Sequence, residues 1–388
     1  MTTIINNENK KLNVPNLRFP EFQGEWEKCR LADVCSFFSG GTPSSSNKDF
    51  YGGNIPFIRS GELHKEETEL FITQSGYENS SAKMVEVGDL LLAMYGATSG
   101  DVAISKIKGA INQAILCIRT KHNNKFIESV WNKHVSKILV KYLQGGQGNL
   151  SADIVKRISF SLPSLAEQKK ISHLMQLIDV RIATQNKIIG KLQSLIKGIV
   201  DCTILRKEKN AIVGDVCSIS EQIRAEANID DIITVRLHGK GVCKSSAENL
   251  QLGATQYYRR RAGQLIYGKQ NFHNGAIGIV PISLDNGITS KDIPSFDIDE
   301  MKCNSVYLLA QLQSPQYYKP AEALTTGTGS KRLKEETFLK MPIVLPNKRE
   351  QDNIAVLIHR ASMNLDYAKR LLELLSIQKQ FLLRQMFI

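Results

Sequence analysis

The sequence has no long hydrophobic run. Although 42% of its 388 residues are hydrophobic, no stretch of eighteen or more consecutive apolar residues occurs, and a membrane-spanning helix needs about 20. The N-terminal stretch MTTIINNENKKLNVPNL is polar and lacks the apolar centre of a secretory signal. These absences predict a cytoplasmic protein with no membrane partner.

Cysteine and histidine are few and scattered. Seven cysteines and seven histidines form neither a Cys-x-x-Cys pair nor a His-x-x-x-His pair. An odd number of dispersed cysteines is typical of reduced thiols in a cytosol. We therefore expect no disulfide framework and no metal site.

Sequence motifs of nucleotide or methyl-transfer chemistry are also missing. There is no Asn/Asp-Pro-Pro-Tyr/Phe run and no Gly-x-x-x-x-Gly-Lys-Ser/Thr loop. TTGTGSKR, residues 325–332, has the wrong spacing for a phosphate loop, and a turn beside DNA fits it better. Glu300 and Lys302 after Asp292 look like a nuclease fragment, but such a pattern arises by chance in chains of this length. The chain is predicted to have no catalytic residues.

Positive charge is in excess. Fifty Lys and Arg against thirty-eight Asp and Glu give a net charge of +12. Such an excess favours a polyanionic partner such as nucleic acid, although many basic proteins bind no polyanion.

One short motif occurs twice. LPSLAEQKKI at residues 162–171 and LPNKREQDNI at residues 345–354 share a proline, a cap residue and a Glu-Gln pair at an offset of 183. Ser164 with Glu167, and Asn347 with Glu350, have the spacing of capping boxes at helix starts. ADVCS at 32–36 and GDVCS at 214–218 repeat with an offset of 182. The chain therefore contains an internal duplication.

A long amphipathic pattern follows each copy of the motif. The first runs from Glu167 to about Leu205 with an apparent phase slip around residues 184–187, and the second runs from Glu350 to the end. Since an apolar stripe must be buried, we expect the two helices to pair as an antiparallel coiled coil, although each could instead cover only its own globule. The predicted pairing residues are Ile171, Leu174, Ile178, Ile182, Ile189, Leu192, Ile196, Leu357, Leu365, Leu372, Leu375 and Leu382.

The remaining segments are rich in short strands and turns, with one helix predicted at about 125–143. The predicted fold is α+β, with two similar globular domains, two long helices and a pseudo-twofold internal repeat. The predicted boundaries are 1–150 for the first domain, with a flexible arm at about 1–14, 151–205 for the first long helix, 206–335 for the second domain and 336–388 for the second long helix.

The chain resembles the specificity subunits of type I restriction-modification systems. The residues that carry the resemblance are WEKCRLADVCSFFSGGTPS (26–44), IPFIRSGEL (55–63), GDLLLAMYGATSGDVAI (88–104), QGNLSADIVKRISFSLPSLAEQKKI (147–171) and LPNKREQDNI.

The resemblance implies a non-catalytic subunit of a bacterial or archaeal complex. Each target-recognition domain would read one half of a bipartite, asymmetric double-stranded DNA target. The helices would set the spacer and dock two methyltransferase subunits, to which two restriction subunits add. S-adenosylmethionine, ATP and Mg would belong to those partner subunits, and this chain would hold no cofactor.

Candidate DNA-binding residues are those that can present donors or amides to DNA from loops. YYRRR (257–261) and KQNFHN (269–274) belong to the second domain, and KQNFHN takes the place that MYGATSG (94–100) has in the first. The alternative is that the glycines and serines only make turns and that the arginines are solvated. In the first domain the candidates are Ser39, Gly41, Thr42, Ser44, Arg59, Ser60, Tyr95, Thr98, Ser99, Asn112, Gln113 and Gln147. In the second they are Tyr258, Arg259, Arg260, Lys269, Gln270, Asn271, His273, Asn274, Thr326, Thr328, Lys331 and Arg332.

Two other functions are open to the sequence. The chain could be the recognition portion of a single-chain restriction or modification enzyme, or a coiled-coil scaffold that binds only protein. The outer faces of the two helices are basic, and the sequence does not show whether they face solvent, DNA or the methyltransferase. The absence of catalytic motifs argues against the first alternative, and the two unlike, loop-rich domains argue against the second.

Overall fold

The computed structural model describes residues 13–143, 149–245, 255–327 and 331–388. It contains two compact units: Met1–Gln185 with Leu371–Ile388, and Asn186–Arg370. Each unit therefore combines a globular part with a part of both long helices, whereas the predicted boundaries separate globules from helices. The predicted DNA contacts Gln147 and Thr328, and most of the predicted N-terminal arm, lie outside the described residues. Within these ranges no helix has both the length and the apolar character needed to cross a membrane.

The described residues of the first unit form ten strands and most of five helices. The strands are β1 (Glu27–Arg30), β2 (Cys35–Ser39), β3 (Tyr51–Ile58), β4 (Phe71–Ile72), β5 (Lys83–Val85), β6 (Leu90–Ala93), β7 (Val102–Ile104), β8 (Gly109–Ile111), β9 (Ile115–Thr120) and β10 (Ser159–Leu162). The helices are α1 (Leu31–Val34), α2 (Gln74–Glu78), α3 (Asn124–Leu143), α4 (Ala152–Arg157) and α5 (Leu165–Val200), the last of which continues into the second unit.

Apolar runs form the centre of the first unit. β6 and the first four residues of β9 are buried at every position, as expected for strands covered on both faces. They lie in an antiparallel sheet of order β2-β9-β6-β7, beside a second sheet of order β4-β3-β8-β5 in which β3 and β8 are parallel. The core between the first sheet and α3 includes Trp26, Phe126 and Trp131.

Within the part of the second unit that the structure describes there are eleven strands and four further helices. The strands are β11 (Ala211–Ile212), β12 (Cys217–Ile219), β13 (Arg224–Ala225), β14 (Ile233–Val235), β15 (Val242–Lys244), β16 (Tyr257–Arg259), β17 (Leu265–Tyr267), β18 (Ile277–Ile279), β19 (Ile288–Ser290), β20 (Ser295–Ile298) and β21 (Pro342–Ile343). The helices are α6 (Ser305–Leu312), α7 (Pro315–Tyr318), α8 (Glu335–Leu339) and α9 (Lys348–Met386), and α9 ends in the first unit.

Both units contain the same sheet. The order β12-β20-β17-β18 reproduces β2-β9-β6-β7, and every neighbouring pair in both sheets is antiparallel. A two-stranded pair, β1-β10 or β11-β21, precedes each long helix. The topology is therefore consistent with the predicted duplication, whereas the other sheets of the two units differ.

The repeated Glu-Gln motif has a structural explanation. Gln168 and Gln351 are both fully buried at the start of a long helix. Each side-chain amide donates to the carbonyl of the proline five residues earlier, at 2.9 and 2.8 Å, and each side-chain oxygen accepts from the backbone N–H of an asparagine, Asn123 or Asn304. Those asparagines cap α3 and α6. The glutamine thus fixes the long helix to the same neighbouring helix in both units.

The long helices bury a strict seven-residue repeat. Along α5 the buried or half-buried positions alternate in steps of four and three: Ile171, Met175, Ile178, Ile182, Gln185, Ile189, Leu192, Ile196 and Ile199. The predicted phase slip is therefore wrong, because Gln185 is 7% exposed and continues the repeat with a polar residue.

The same spacing runs along α9, with one correction. Ile354, Ile358, Ala361, Leu365, Ala368, Leu372, Leu375, Lys379, Leu382 and Met386 are buried or half-buried. Leu357 was predicted to face the other helix, but it is 52% exposed and Ile358 occupies that position. In the first unit Met386 packs in the same core as Ile171, and in the second Ile358 packs with Val200. Each unit thus joins one end of α5 to the opposite end of α9, although the coiled coil itself remains a prediction.

Candidate nucleic-acid interface

Several predicted DNA-binding residues of the first unit lie at one edge of its sheets. β2 and β6 both run antiparallel to β9, and their last residues pair with its start: Ser39 opposes Leu116 and Ala93 opposes Ile115. In the neighbouring sheet Ile58 opposes Ile111, so the ends of β3 and β8 also coincide. We call the segments that leave these strands, residues 39–44, 59–60, 94–101 and 112–114, the first-unit edge. All the described candidates of this unit belong to it.

The glycines of this edge are required by close packing. A Cβ at Gly40 would lie 1.8 Å from the carbonyl oxygen of Ile111, and one at Gly41 would lie 2.3 Å from the Ser81 hydroxyl. The chain therefore passes directly over the end of β8. This position brings the Thr42 hydroxyl into a hydrogen bond with the Gln113 side chain. Thr42, Ser44, Tyr95 and Gln113 are exposed.

Other residues of the first-unit edge mainly shape its turns. The Ser99 hydroxyl donates to the Met94 carbonyl at 3.0 Å, and the Asn112 side chain accepts from the Ala114 N–H at 3.2 Å. Thr98 and Ser60 are half-buried. These four residues have less freedom to contact a ligand than the exposed ones.

Arg59 is held by two carboxylates. Its guanidinium bonds to Glu62 at 3.0 Å and to Glu69 at 3.2 Å, while 44% of its side chain stays exposed. Burial alone would raise the pKa of Glu62. Hydrogen bonds from Arg59, from Thr68 and from backbone N–H groups outweigh that effect and lower the pKa of Glu62 to about 2. Glu62 is therefore ionised, and Glu62 and Glu69 neutralise the charge of Arg59 before any DNA approaches.

The second unit has a corresponding edge. β17 ends at Tyr267, where Ile266 opposes Ser295, the first residue of β20. Residues 268–274 thus follow β17 as residues 94–101 follow β6, in agreement with the predicted equivalence of KQNFHN and MYGATSG. Backbone hydrogen bonds join Lys269 to both Asp292 and Leu333, each at 2.9 Å. We call residues 268–274, 291–294, 326–327 and 331–333 the second-unit edge.

Charged residues of the second-unit edge are paired with acidic ones. Lys269 contacts Glu335 at 2.7 Å with only 12% of its side chain exposed, while Arg332 contacts Asp292 at 3.3 Å and remains 47% exposed. Lys331 lies 3.6 Å from Glu322. His273 and Asn274 are half-buried, whereas Gln270, Asn271, Thr326, Lys331 and Arg332 are exposed. The sequence reasoning missed Lys291, which is exposed at this edge, because its turn has neither glycine nor an amide side chain.

Arg260 is a correction to the predicted set. Its side chain is fully buried and bonds to the Thr289 hydroxyl at 2.7 Å, the Ser295 hydroxyl at 2.9 Å and the Ile293 carbonyl at 3.0 Å. Burial lowers the pKa of its guanidinium to about 10. Arg260 therefore organises the interior and is not available to DNA, while Arg259 is exposed and Tyr258 half-buried. The sequence of an arginine triplet does not show that its middle residue points inward. The one available indication is that successive side chains of a strand point to opposite faces.

The described residues hold no cluster of three or more His, Cys, Asp or Glu side chains that could bind a metal. The site is thus a pair of edges with hydroxyls, amides and guanidinium groups, which are suited to hydrogen bonding with bases and phosphates.

Comparison with known proteins places this arrangement in a class. Residues 23–194 match the family model described as the type I restriction modification DNA specificity domain. The chain therefore contains a DNA sequence-recognition domain. The resemblance noted in the sequence is therefore confirmed, and residues 23–194 are the part of the chain that the family model covers.

Similar proteins with assigned names are called specificity subunits. The MjaVIII specificity subunit of Methanocaldococcus jannaschii is 21% identical over 374 residues, 87% of this chain and 86% of that protein. The EcoR124I/EcoR124II specificity subunit of Escherichia coli is 26% identical over 175 residues, 42% of this chain and 43% of that protein. Each is named a specificity subunit of a type I restriction enzyme, and the prediction of a specificity component, not an enzyme, is confirmed.

Solved structures share the fold. The type I restriction-modification S subunit from M. genitalium superposes with a TM-score of 0.66 over 97% of this chain and 99% of that chain, at 12% identity. A chain from a study of complex assembly and conformational transition of the type I system superposes with a TM-score of 0.52 over 92% of this chain and 96% of that chain. The predicted mixed fold of sheets and long helices is therefore confirmed.

Proposed function

We propose that this subunit reads a bipartite, asymmetric double-stranded DNA target, with one half contacted by each unit. The observation that carries the proposal is the shared sheet with unlike edges. The first-unit edge exposes Thr42, Ser44 and Gln113, whereas the second exposes Asn271, Lys331 and Arg332. Amides pair best with adenine and arginine with guanine. Two such different edges on one scaffold favour two different half-sites.

We also propose that the long helices dock two methyltransferase subunits, to which two restriction subunits add. Besides its buried repeat, α9 has a second apolar stripe of residues that are each at least 49% exposed: Val356, Met363, Tyr367, Leu374, Ile377 and Phe381. α5 exposes Leu177, Val180, Ile188 and Leu195. Contiguous exposed apolar residues mark interaction surfaces. In this assembly S-adenosylmethionine, ATP and Mg act on the partner subunits in the cytoplasm, and this chain needs no cofactor.

The test is to co-express the chain with its cognate methyltransferase subunit in a host that lacks methylation, and to sequence the host DNA for modified bases. A single interrupted motif with two unlike halves supports the proposal. A stable complex that leaves the DNA unmodified contradicts it and favours a scaffold that binds only protein.

Paired variants assign the halves. Thr42→Ala with Gln113→Ala should relax one half of the motif only, and Asn271→Ala with Arg332→Ala should relax only the other half. A loss of both halves from either pair would mean that the units do not read separately. For the helices, Met363→Glu with Leu374→Glu should abolish copurification of the methyltransferase, whereas Lys369→Glu on the same helix should not.

A further inference from the structure

The last three turns of α3 concentrate positive charge on one side. Lys133, Lys137 and Lys141 recur every four residues, and α3 has four lysines against one glutamate, a difference of three. The fourth lysine, Lys125, is paired with Glu128 and Asp179. Lys137 and Lys141 are exposed and have no ion pair among the described residues. Their charge is therefore not neutralised within the unit.

These lysines line a groove with an arginine from the neighbouring helix. Lys137, Lys141 and Arg157 surround an open cavity of about 340 Å³ whose floor contains His134 stacked on Phe160, with ring centroids 5.7 Å apart. None of the residues that line it is acidic. Burial lowers the pKa of Lys133, and the charge of Lys137 lowers it further. Burial likewise lowers the pKa of His134, with a smaller contribution from the neighbouring lysines. Such a groove is suited to an anion.

The helix that carries the groove packs against the first-unit edge through another of its faces. The Trp131 indole N–H donates to the Gly100 carbonyl at 2.8 Å, and a Cβ at Gly100 would lie 3.0 Å from the Leu139 side chain. α3 thus packs directly against the turn that holds Tyr95, Thr98 and Ser99. DNA that reaches this turn would have its backbone close to the end of α3.

The corresponding helix of the second unit is shorter. α6 follows β20 as α3 follows β9, and it is capped by an asparagine in the same way. Its sequence, SVYLLAQL, contains no charged residue and ends after eight residues, before the turns in which α3 carries Lys133, Lys137 and Lys141. The basic turns of α3 thus extend beyond the part of the helix that α6 matches.

We propose that Lys137, Lys141 and Arg157 bind the phosphate backbone beside the half-site of the first unit. The first unit would then supply sequence-independent affinity through these three side chains. This inference rests on the proposed DNA recognition. Each phosphate contact formed by a cation contributes about −0.9 to the slope of log K against log salt concentration. The three cations of the groove should therefore together contribute about −2 to −3 to that slope.

The test uses the complex of the full chain with its methyltransferase subunit and a random-sequence DNA duplex, with affinity measured over a series of salt concentrations. The triple variant Lys137→Gln, Lys141→Gln, Arg157→Gln should reduce the slope by about 2 to 3 and leave the methylated motif unchanged. The matched control is Lys121→Gln, Arg206→Gln, Lys340→Gln. Its residues are exposed, have no ion pair among the described residues and lie outside the groove and both edges. It should leave the slope as it is.

Each result separates the hypotheses. An unchanged slope in a triple variant that assembles normally overturns the groove proposal. Failure of that variant to assemble, with a normal melting profile of the free chain, means that an acidic surface of a partner protein occupies the groove and also overturns the proposal. If the unaltered complex methylates no motif, the proposed function fails on its own, since the salt dependence of random-duplex binding is measured separately.

Discussion

The two units use arginine in opposite ways, each beside a sheet that the other unit does not share. Arg59 follows β3 in the first unit, is half exposed and is neutralised by Glu62 and Glu69. Arg260 follows β16 in the second, is fully buried and bonds only to neutral acceptors among the described residues. The comparison shows that the duplicated scaffold keeps strand order and helix anchoring, while polar contacts near each edge differ. Those contacts determine which residues are free to meet DNA.

The largest effect on this comparison is expected from Arg260→Ala. It leaves the Thr289 and Ser295 hydroxyl oxygens without their donor, removes one of the two donors to the Ile293 carbonyl, and opens a cavity in a closed interior. We expect a loss of about 3 to 5 kcal/mol in the stability of the second unit. Hydrogen exchange of β16, β19 and β20 measures that loss without assuming that the two units unfold together.

The neighbouring Arg259→Ala serves as the control, since this exposed side chain should change stability by no more than about 0.5 kcal/mol. Equal effects of the two variants would show that the buried guanidinium is not what holds this region. Protection of β2, β6 and β9 in the first unit should stay the same in both.

Much of this architecture could be predicted from sequence because its signals are local. Pro163 and Glu167 with their copies at Pro346 and Glu350 identified both helix starts, and the helix predicted at about 125–143 is α3, Asn124–Leu143. The phase slip was wrong since a polar Gln185 at a buried position looks like a gap in an apolar repeat. The prediction that Leu357 faces the other helix was wrong because two adjacent apolar residues, Leu357 and Ile358, fit the spacing almost equally. The partners of Arg260 are 29 to 38 residues away, and no local pattern reveals such contacts.

A second comparison concerns adjacent positions on α9. Ile358 is 5% exposed and belongs to the core of the second unit, whereas Leu357 is 52% exposed. Ile358→Ala should cost about 2 to 4 kcal/mol through lost burial and a residual cavity. Leu357→Ala should cost no more than about 0.5 kcal/mol. Denaturant unfolding of each variant checks this order, and the reverse order would restore the original prediction for Leu357.

The buried glutamines test whether the two units are equivalent at their helix starts. Gln168→Ala and Gln351→Ala each leave a proline carbonyl and an asparagine N–H unpaired, so each should cost about 1 to 3 kcal/mol. We expect similar losses, each confined to its own unit in hydrogen exchange. Gln176→Ala, an exposed glutamine on the same α5 helix, is the control. A large loss from one variant and none from the other would mean that the motif was retained in one copy without its structural role.

The smallest expected effect is a difference in acid sensitivity. The pKa of Glu62 in the folded first unit is about 2, below the ordinary value of 4.5. Its stabilising contribution is therefore complete above about pH 4.5 and is lost as the pH falls towards 2. The pKa of Arg260 is about 10, so the charge that organises the second unit does not change in that window. Because other carboxylates also titrate there, the informative quantity is the stability difference between the parent chain and Glu62→Gln. That difference should shrink between pH 4.5 and 2 in the first unit and stay at zero in the second. A constant difference in the first unit would show that the contribution of the Arg59–Glu62 pair to stability does not depend on the charge of Glu62.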